Sequence, residues 1–208
     1  MPRVASLMVL MRAIVADDAE MVSRLLDTSP DLAGASLAEG ATRQGAKDFW
    51  LEEIGHYVYK GDTALHVAAA AYRHAIVRKL IDAGASVRAR NRRGAEPLHY
   101  AADGAPGSRF WNPEAQAATI VALIAAGADP DAIDNGGVAP LHRAVRTRCT
   151  AAVRALLESG ADIRRKNKSG STPMRLATLA TGRGGSGSAE AKAQQVEIVR
   201  LLENHGAR

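Results

Sequence analysis

Aromatic side chains are scarce in this sequence: two Trp, four Tyr and two Phe, 4% of 208 residues. Sandwich and barrel cores draw on aromatic and β-branched residues, so this scarcity beside abundant alanine points to closely packed helices. Cysteine is nearly absent. Cys149 stands alone, which excludes any disulfide within the chain. No run approaches the roughly 18 apolar residues of a membrane span. The short apolar stretch Leu7 to Met11 faintly resembles a secretory leader. Arg12, Asp17, Asp18 and Glu20 cut it short, and no small-residue cleavage site follows. It reads as the start of a helix, and the expected location is the cytoplasm.

The net charge is +5, unevenly spread. Residues 1–60 carry 6 Lys/Arg against 9 Asp/Glu, and residues 61–208 carry 21 against 13. A basic surface attracts nucleic acid, acidic protein or small anions, and net charge alone selects none of them.

What the chain does have is a repeat. Gly61-Asp62-Thr63-Ala64-Leu65-His66 recurs as Gly94-Ala95-Glu96-Pro97-Leu98-His99. It recurs again as Gly137-Val138-Ala139-Pro140-Leu141-His142, and then as Gly170-Ser171-Thr172-Pro173-Met174-Arg175. The starts lie 33, 43 and 33 residues apart. A second apolar segment follows each, as in Ile76-Val77-Arg78-Lys79-Leu80-Ile81 before Gly84 and Val153-Arg154-Ala155-Leu156-Leu157 before Gly160. The spacing predicts a helix that ends at the glycine. Thr63 and Thr172 suit a helix cap, and Pro97, Pro140 and Pro173 suit a first turn. Gly94, Gly137 and Gly170 suit a turn with positive φ.

These motifs resemble the ankyrin repeat family, whose pattern is Thr-Pro-Leu-His, small residues, an apolar helix and Gly-Ala-Asp. The resemblance covers about residues 61–208, and residues 7–29 read as a fifth, degenerate copy. Its core candidates are Ile14, Met21, Val22, Leu25 and Leu26. The implied fold is all-α, an ankyrin repeat solenoid of about five helix-loop-helix repeats with three insertions. One domain spans 1–208. Its repeats fall at about 6–60 (a cap with an insertion), 61–93, 94–136, 137–169 and 170–208.

The first insertion, Pro30 to Lys60, adds about 22 residues and includes Phe49, Trp50, His56, Tyr57 and Tyr59. That content predicts a packed excursion. The second adds 10 residues around Asp103 to Pro113, and the third about 13 around Thr181 to Ala189. Gly182-Arg183-Gly184-Gly185-Ser186-Gly187-Ser188 lacks the lysine and preceding strand of a phosphate loop, so it reads as a mobile surface loop.

His66, His99 and His142 share one repeat position. The resemblance assigns them hydrogen bonds that order the turns. A ladder at about 10 Å spacing is too wide to share a metal ion. Arg146, Arg148 and a helix N-terminus beside Cys149 would lower its pKa, but no general base accompanies it. No catalytic residue, metal or cofactor is therefore assigned.

The resemblance places partner binding on the turn tips and inner helices. The candidates are Arg90, Arg92 and Arg93, Ile133 and Asn135, Lys166 and Lys168, with Asp103 and Arg146 on the inner helices. Basic tips flank an acidic one, Asp129 to Asp134. This alternation fits a protein of acidic or mixed charge better than a nucleic-acid stripe, and no membrane. A second surface is aromatic. Trp50, Tyr57, Tyr59, Tyr72, Tyr100 and Trp111, if they converge with Arg109, Arg146 or Arg148, would form a pocket for a planar or anionic small molecule. The plainer expectation is that they plug the insertions onto the stack. The leading functional expectation is a non-catalytic protein-interaction scaffold. A small-molecule binder or enzyme using that pocket comes second, and nucleic-acid binding third.

Overall fold

The computed structural model describes residues 2–42, 45–179 and 189–207, with side chains from Ser6 onward. The glycine-rich insertion therefore lies, up to Ser188, outside the described residues.

Among the described residues five helix pairs follow one another: α1 (Pro2–Val15) with α2 (Ala19–Thr28), α3 (Ala64–Ala70) with α4 (His74–Asp82), α5 (Pro97–Ala101) with α6 (Pro113–Ala125), α7 (Pro140–Arg146) with α8 (Thr150–Glu158), and α9 (Pro173–Thr178) with α10 (Ala189–Asn204). The first helix of each pair packs on the next first helix, and α4, α6, α8 and α10 pack likewise in a second row. This is the helical solenoid that the repeat implied. The degenerate first copy is a true pair, with Ile14, Val22 and Leu26 buried and Met21 and Leu25 packed against the core.

The buried set shows why alanine dominates. Ala64, Ala68, Ala69, Ala101, Ala102 and Ala144 are wholly buried in the inner row beside Leu65 and Leu98. Small side chains let the axes approach closely, and a lone pair could not bury such a face without its neighbours. Thr63 and Thr172 accept the backbone N–H of His66 and Arg175, as helix caps do. At the tips the glycine is required. Gly137 has φ +70°, and a Cβ there would stand 2.9 Å from the Lys168 backbone nitrogen.

The turn from inner to outer helix also repeats. Asp17, Tyr72 and Arg148 hold positive φ of 59°, 56° and 62° in the first, second and fourth pairs. A single left-handed residue reverses the chain there. In the third pair the second insertion occupies that turn.

The first insertion is packed, as expected. Among the described residues it adds three short 3-10 turns and one element that the all-α expectation lacked, a hairpin of two two-residue strands, β1 (Trp50–Leu51) and β2 (His56–Tyr57). Leu32, Leu37, Leu51 and Val58 are buried, and backbone bonds from Leu37 N to Asp62 O and from Gly61 N to Leu37 O stitch it to the stack, both 2.8 Å. Among the described residues no helix is long and apolar enough to cross a membrane.

Candidate functional site

The first two insertions meet over the inner-helix face and enclose a half-open cavity of about 550 Å³. The hairpin wall contributes Trp50, His56 and Tyr57, with Tyr59 behind it. The facing wall is the second insertion, with Phe110 and Trp111. The floor is Ala70 at the end of α3, Tyr100 on α5, and Arg143 and Arg146 on α7. Tyr72 and Asp103 complete it, with Arg93 from the tip. Seven of the chain's eight aromatic side chains thus line one cavity; only Phe49 does not.

Each wall is fixed locally. Trp50 and Tyr57 are cross-strand partners with ring centroids 4.5 Å apart. The second insertion is tied at its neck by buried Gln116, which accepts Trp111 Nε1–H at 2.9 Å and donates to the carbonyls of Ala101 and Asp103. Tyr72 donates to the Asp103 carbonyl at 2.5 Å. Gly104 must be glycine for a steric reason: a Cβ would lie 2.6 Å from Cys149 Sγ.

Under the cavity runs a polar network. Tyr100 donates to buried Asp62 at 3.0 Å, and Asn91 Nδ2 donates to Asp62 at 2.8 Å and to Tyr100 Oη at 2.9 Å. Edge-on rings of His56 and His66 flank Tyr100 at 4.9 and 5.1 Å. Burial, joined by the Asp62 carboxylate, pushes the Tyr100 phenol well up, so it stays a neutral donor. Burial lowers the pKa of His56, with Arg143 and Arg93 adding to the effect against Asp103 and Asp62, so its imidazole is held neutral.

Arg143 reaches Asp103 at 2.9 Å and Asp134 at 3.0 Å, with only 12% of its side chain exposed. Burial opposes its charge, but the two aspartates outweigh that and hold it firmly cationic. Arg143 Nε on the floor and His56 Nε2 on the hairpin wall are buried without a hydrogen-bond partner among the described residues. An unmet buried polar atom costs about 1–3 kcal/mol and calls for a reason.

The ladder histidines are hydrogen-bonded on both ring nitrogens. His66, His99 and His142 accept their own cap's backbone N–H on Nδ1, at 3.2, 3.1 and 3.2 Å. Their Nε2 atoms then donate to the carbonyls of Ala95, Val138 and Ser171 in the next repeat. Cys149 departs from expectation. It is wholly buried behind the second wall, and burial pushes its thiol up to about 11, not down. Among the described residues no group of three His, Cys, Asp or Glu side chains could hold a metal ion.

Of the pocket candidates, Trp50, Tyr57, Tyr59, Tyr72, Tyr100 and Trp111 come together here, joined by Arg146. Arg109 and Arg148 do not. Arg109 lies over the Phe110 ring at 4.6 Å, and Arg148 is buried in its left-handed turn. His56 and Arg143 were not singled out from sequence. Arg143 did carry a signal: it occupies the position of Val67 and Tyr100, directly after the ladder histidine, so a charge there faces the site.

The tip candidates divide. Arg90 donates to the carbonyls of Gly94 at 3.1 Å and Ile133 at 2.6 Å. Arg92 donates to the Ala41 carbonyl at 2.9 Å, Arg93 lies over Tyr59 at 4.2 Å, and Asn135 donates to the Arg92 carbonyl at 3.2 Å. These side chains brace neighbouring loops. The acidic tip pairs inward too, Asp134 with Arg143 and Asp131 with Arg165 at 3.5 Å. Ile133, Lys166 and Lys168 are exposed.

Comparison with known proteins agrees with this architecture. One family model, ankyrin repeats in three copies, matches residues 10–108, and another, ankyrin repeats in many copies, matches residues 123–177. The human protein named ankyrin repeat and SOCS box protein 6 is 30% identical over 200 residues, 90% of this chain and 44% of that protein. Human B-cell lymphoma 3 protein is 33% identical over 123 residues, 59% of this chain and 26% of that one. Tyrosine-protein kinase Shark of Drosophila melanogaster is 37% identical over 119 residues, 56% of this chain and 12% of the kinase. The chain therefore spans less than half the length of each of these relatives.

Proposed function

Because this chain belongs to the ankyrin repeat family, we propose that it is a non-catalytic interaction module that holds another protein against its inner-helix face and turn tips. The observation that carries this reading is the use of the inner-helix face. Two insertions rise over it and concentrate nearly all the aromatic surface there, whereas a plain spacer would leave it bare. Exposed Lys166, Lys168 and Ile133 extend the surface beyond the cavity. Nucleic-acid binding is disfavoured, because most of the basic tip side chains brace the fold and an acidic tip interrupts them.

The test is affinity capture from the source cell. Wild type is compared with Tyr57→Ser/Phe110→Ser and with Lys166→Glu/Lys168→Glu. A protein retained by wild type and lost from either double variant supports the reading. Capture that is unchanged by both, or no retained protein at all, removes it.

A second reading has its own support. Closure of the site into a cavity of about 550 Å³ suits a small molecule, whose pockets span roughly 300–1,000 Å³. On this reading the insertions form a ligand site on a repeat scaffold.

A further inference from the structure

We propose that the cavity between the two insertions binds a flat aromatic acid, its ring taken between the walls and its acid group turned to the floor arginines. The proposal rests on the small-molecule reading above and names the ligand's chemistry. Three features select that chemistry.

The first is shape and surface. Both insertions bring aromatic rings to the lining: Trp50 and Tyr57 on the hairpin, Phe110 and Trp111 on the second insertion. Trp50, Tyr57 and Phe110 are also among the large side chains the fold leaves more than a third exposed. Rings held this way suit a planar guest, because offset and edge-on contacts both satisfy the ring quadrupoles.

The second is charge. The lining holds three guanidiniums, Arg93, Arg143 and Arg146, against Asp103, with Asp134 pairing Arg143 from behind, which leaves the site cationic by about one charge. His56 adds no charge of its own at neutral pH, since burial lowers its pKa. A cationic guest would meet this excess unfavourably, although an aromatic cage alone would welcome one. Guanidinium planes also match a carboxylate edge to edge.

The third is unmet hydrogen bonding. Arg143 Nε is a donor by chemistry and is buried at the floor with no partner among the described residues. His56 Nε2, similarly placed on the hairpin wall, donates when it carries the ring proton. Both are atoms to which an acceptor-rich guest brings what the fold does not, after a small shift of the side chains that seal them. Asp103 and Asp134 already hold the other edges of Arg143, so its guanidinium is fixed in place for that role.

A ring carrying an acid has two sources, a free small molecule or the last residue of a peptide ending in an aromatic side chain. Calorimetric titration of the full chain separates them. The ligands are 2-naphthoate, the equally sized cation 2-naphthylmethylammonium, the non-planar cyclohexanecarboxylate, and a peptide ending in Trp with a free or an amidated carboxyl.

The expected result is binding of 2-naphthoate at least about tenfold tighter than of the cation or of the alicyclic acid. Added salt should weaken it. Phe110→Ala and Arg93→Gln, both at exposed side chains, should each weaken it about three- to tenfold while the far-UV circular dichroism stays unchanged. A free-carboxyl peptide that outbinds both its amide and 2-naphthoate identifies a chain terminus as the source. Equal binding of cation and anion overturns the acid while leaving the cavity a small-molecule site. If none of the five ligands binds, both the proposal and the small-molecule reading fail, and these wild-type titrations decide that without any variant.

Discussion

Acidification from pH 7 to pH 4 should loosen this stack through its histidine ladder, and His99 sets the scale. Its Nδ1 accepts the Glu96 backbone N–H and its Nε2 faces the Val138 carbonyl. Both positions suit the neutral ring. A second proton would point Nδ1–H at an N–H donor. Burial, together with the Arg143 charge, lowers its pKa from 6.5 to about 4. The unfolded chain therefore takes up its proton first as the pH falls. Stability from this group is present in full above pH 6.5 and is lost progressively down to about pH 4. At 1.36 kcal/mol per pKa unit, the loss reaches about 3 kcal/mol at pH 4. For a chain of this size that corresponds to roughly 6–12 °C in Tm. His66 and His142 are lowered in the same direction by burial and add to the loss. The assay is urea unfolding at half-unit pH steps for wild type and His99→Gln, which keeps a donor toward Val138 but cannot titrate. The variant should be weaker at pH 7 and should lose about 3 kcal/mol less than wild type between pH 7 and pH 4. Parallel stability curves for the two proteins would refute the assignment of His99 as a neutral ladder rung.

Two further outcomes follow from single positions. Glu96 stands where Thr63 and Thr172 stand in other repeats; it is buried, and its Oε2 has no hydrogen-bond partner among the described residues. Glu96→Thr should stabilise by about 1 kcal/mol, measured by urea unfolding. Because burial raises the Glu96 pKa, the folded chain pays for its charge as pH rises, so this gain should be larger at pH 8 than at pH 4. Cys149 should resist iodoacetamide in the native protein at pH 8 and react fully in 6 M guanidinium, as read by mass spectrometry, since its thiol is buried and titrates near 11. Rapid native alkylation would mean that the second insertion opens.

The repeat was legible because it is periodic. Leu65, Leu98 and Leu141 recur at one position, as do the histidines, and each copy corroborates the others. The first pair was legible from Ile14, Val22 and Leu26 even without the Leu-His signature. The insertions have no second copy to compare with, so only their composition could be read. That sufficed to expect Trp50, Tyr57 and Trp111 to pack, but not to foresee the hairpin or its facing of Phe110. The tip arginines were harder still. Arg90 and Lys166 look alike in sequence and both are exposed, yet Arg90 is committed to the Ile133 carbonyl and Lys166 makes no such bond among the described residues. The difference lies in what the neighbouring tip presents, which is a tertiary fact. Cys149 shows the same limit. Arginines nearby in sequence suggested an activated thiol, and desolvation by burial outweighs even the hydrogen bonds from Thr147, Gln116 and Trp111 that favour the thiolate.

The left-handed turn marked by Asp17, Tyr72 and Arg148 has an engineering consequence. It is a port. The chain enters and leaves it at the same pair of helix ends whether the link is three residues, as from Thr147 to Cys149, or the segment that carries Phe110 and Trp111. Such a junction would let a loop be exchanged without disturbing the stacking on either side, and in the third pair it opens beside the inner-helix face. Grafting a foreign loop in place of Arg148 would thus raise a new wall one repeat further along. A repeat scaffold built this way can change its guest by swapping walls while its floor, and the rows of alanine beneath it, stay the same.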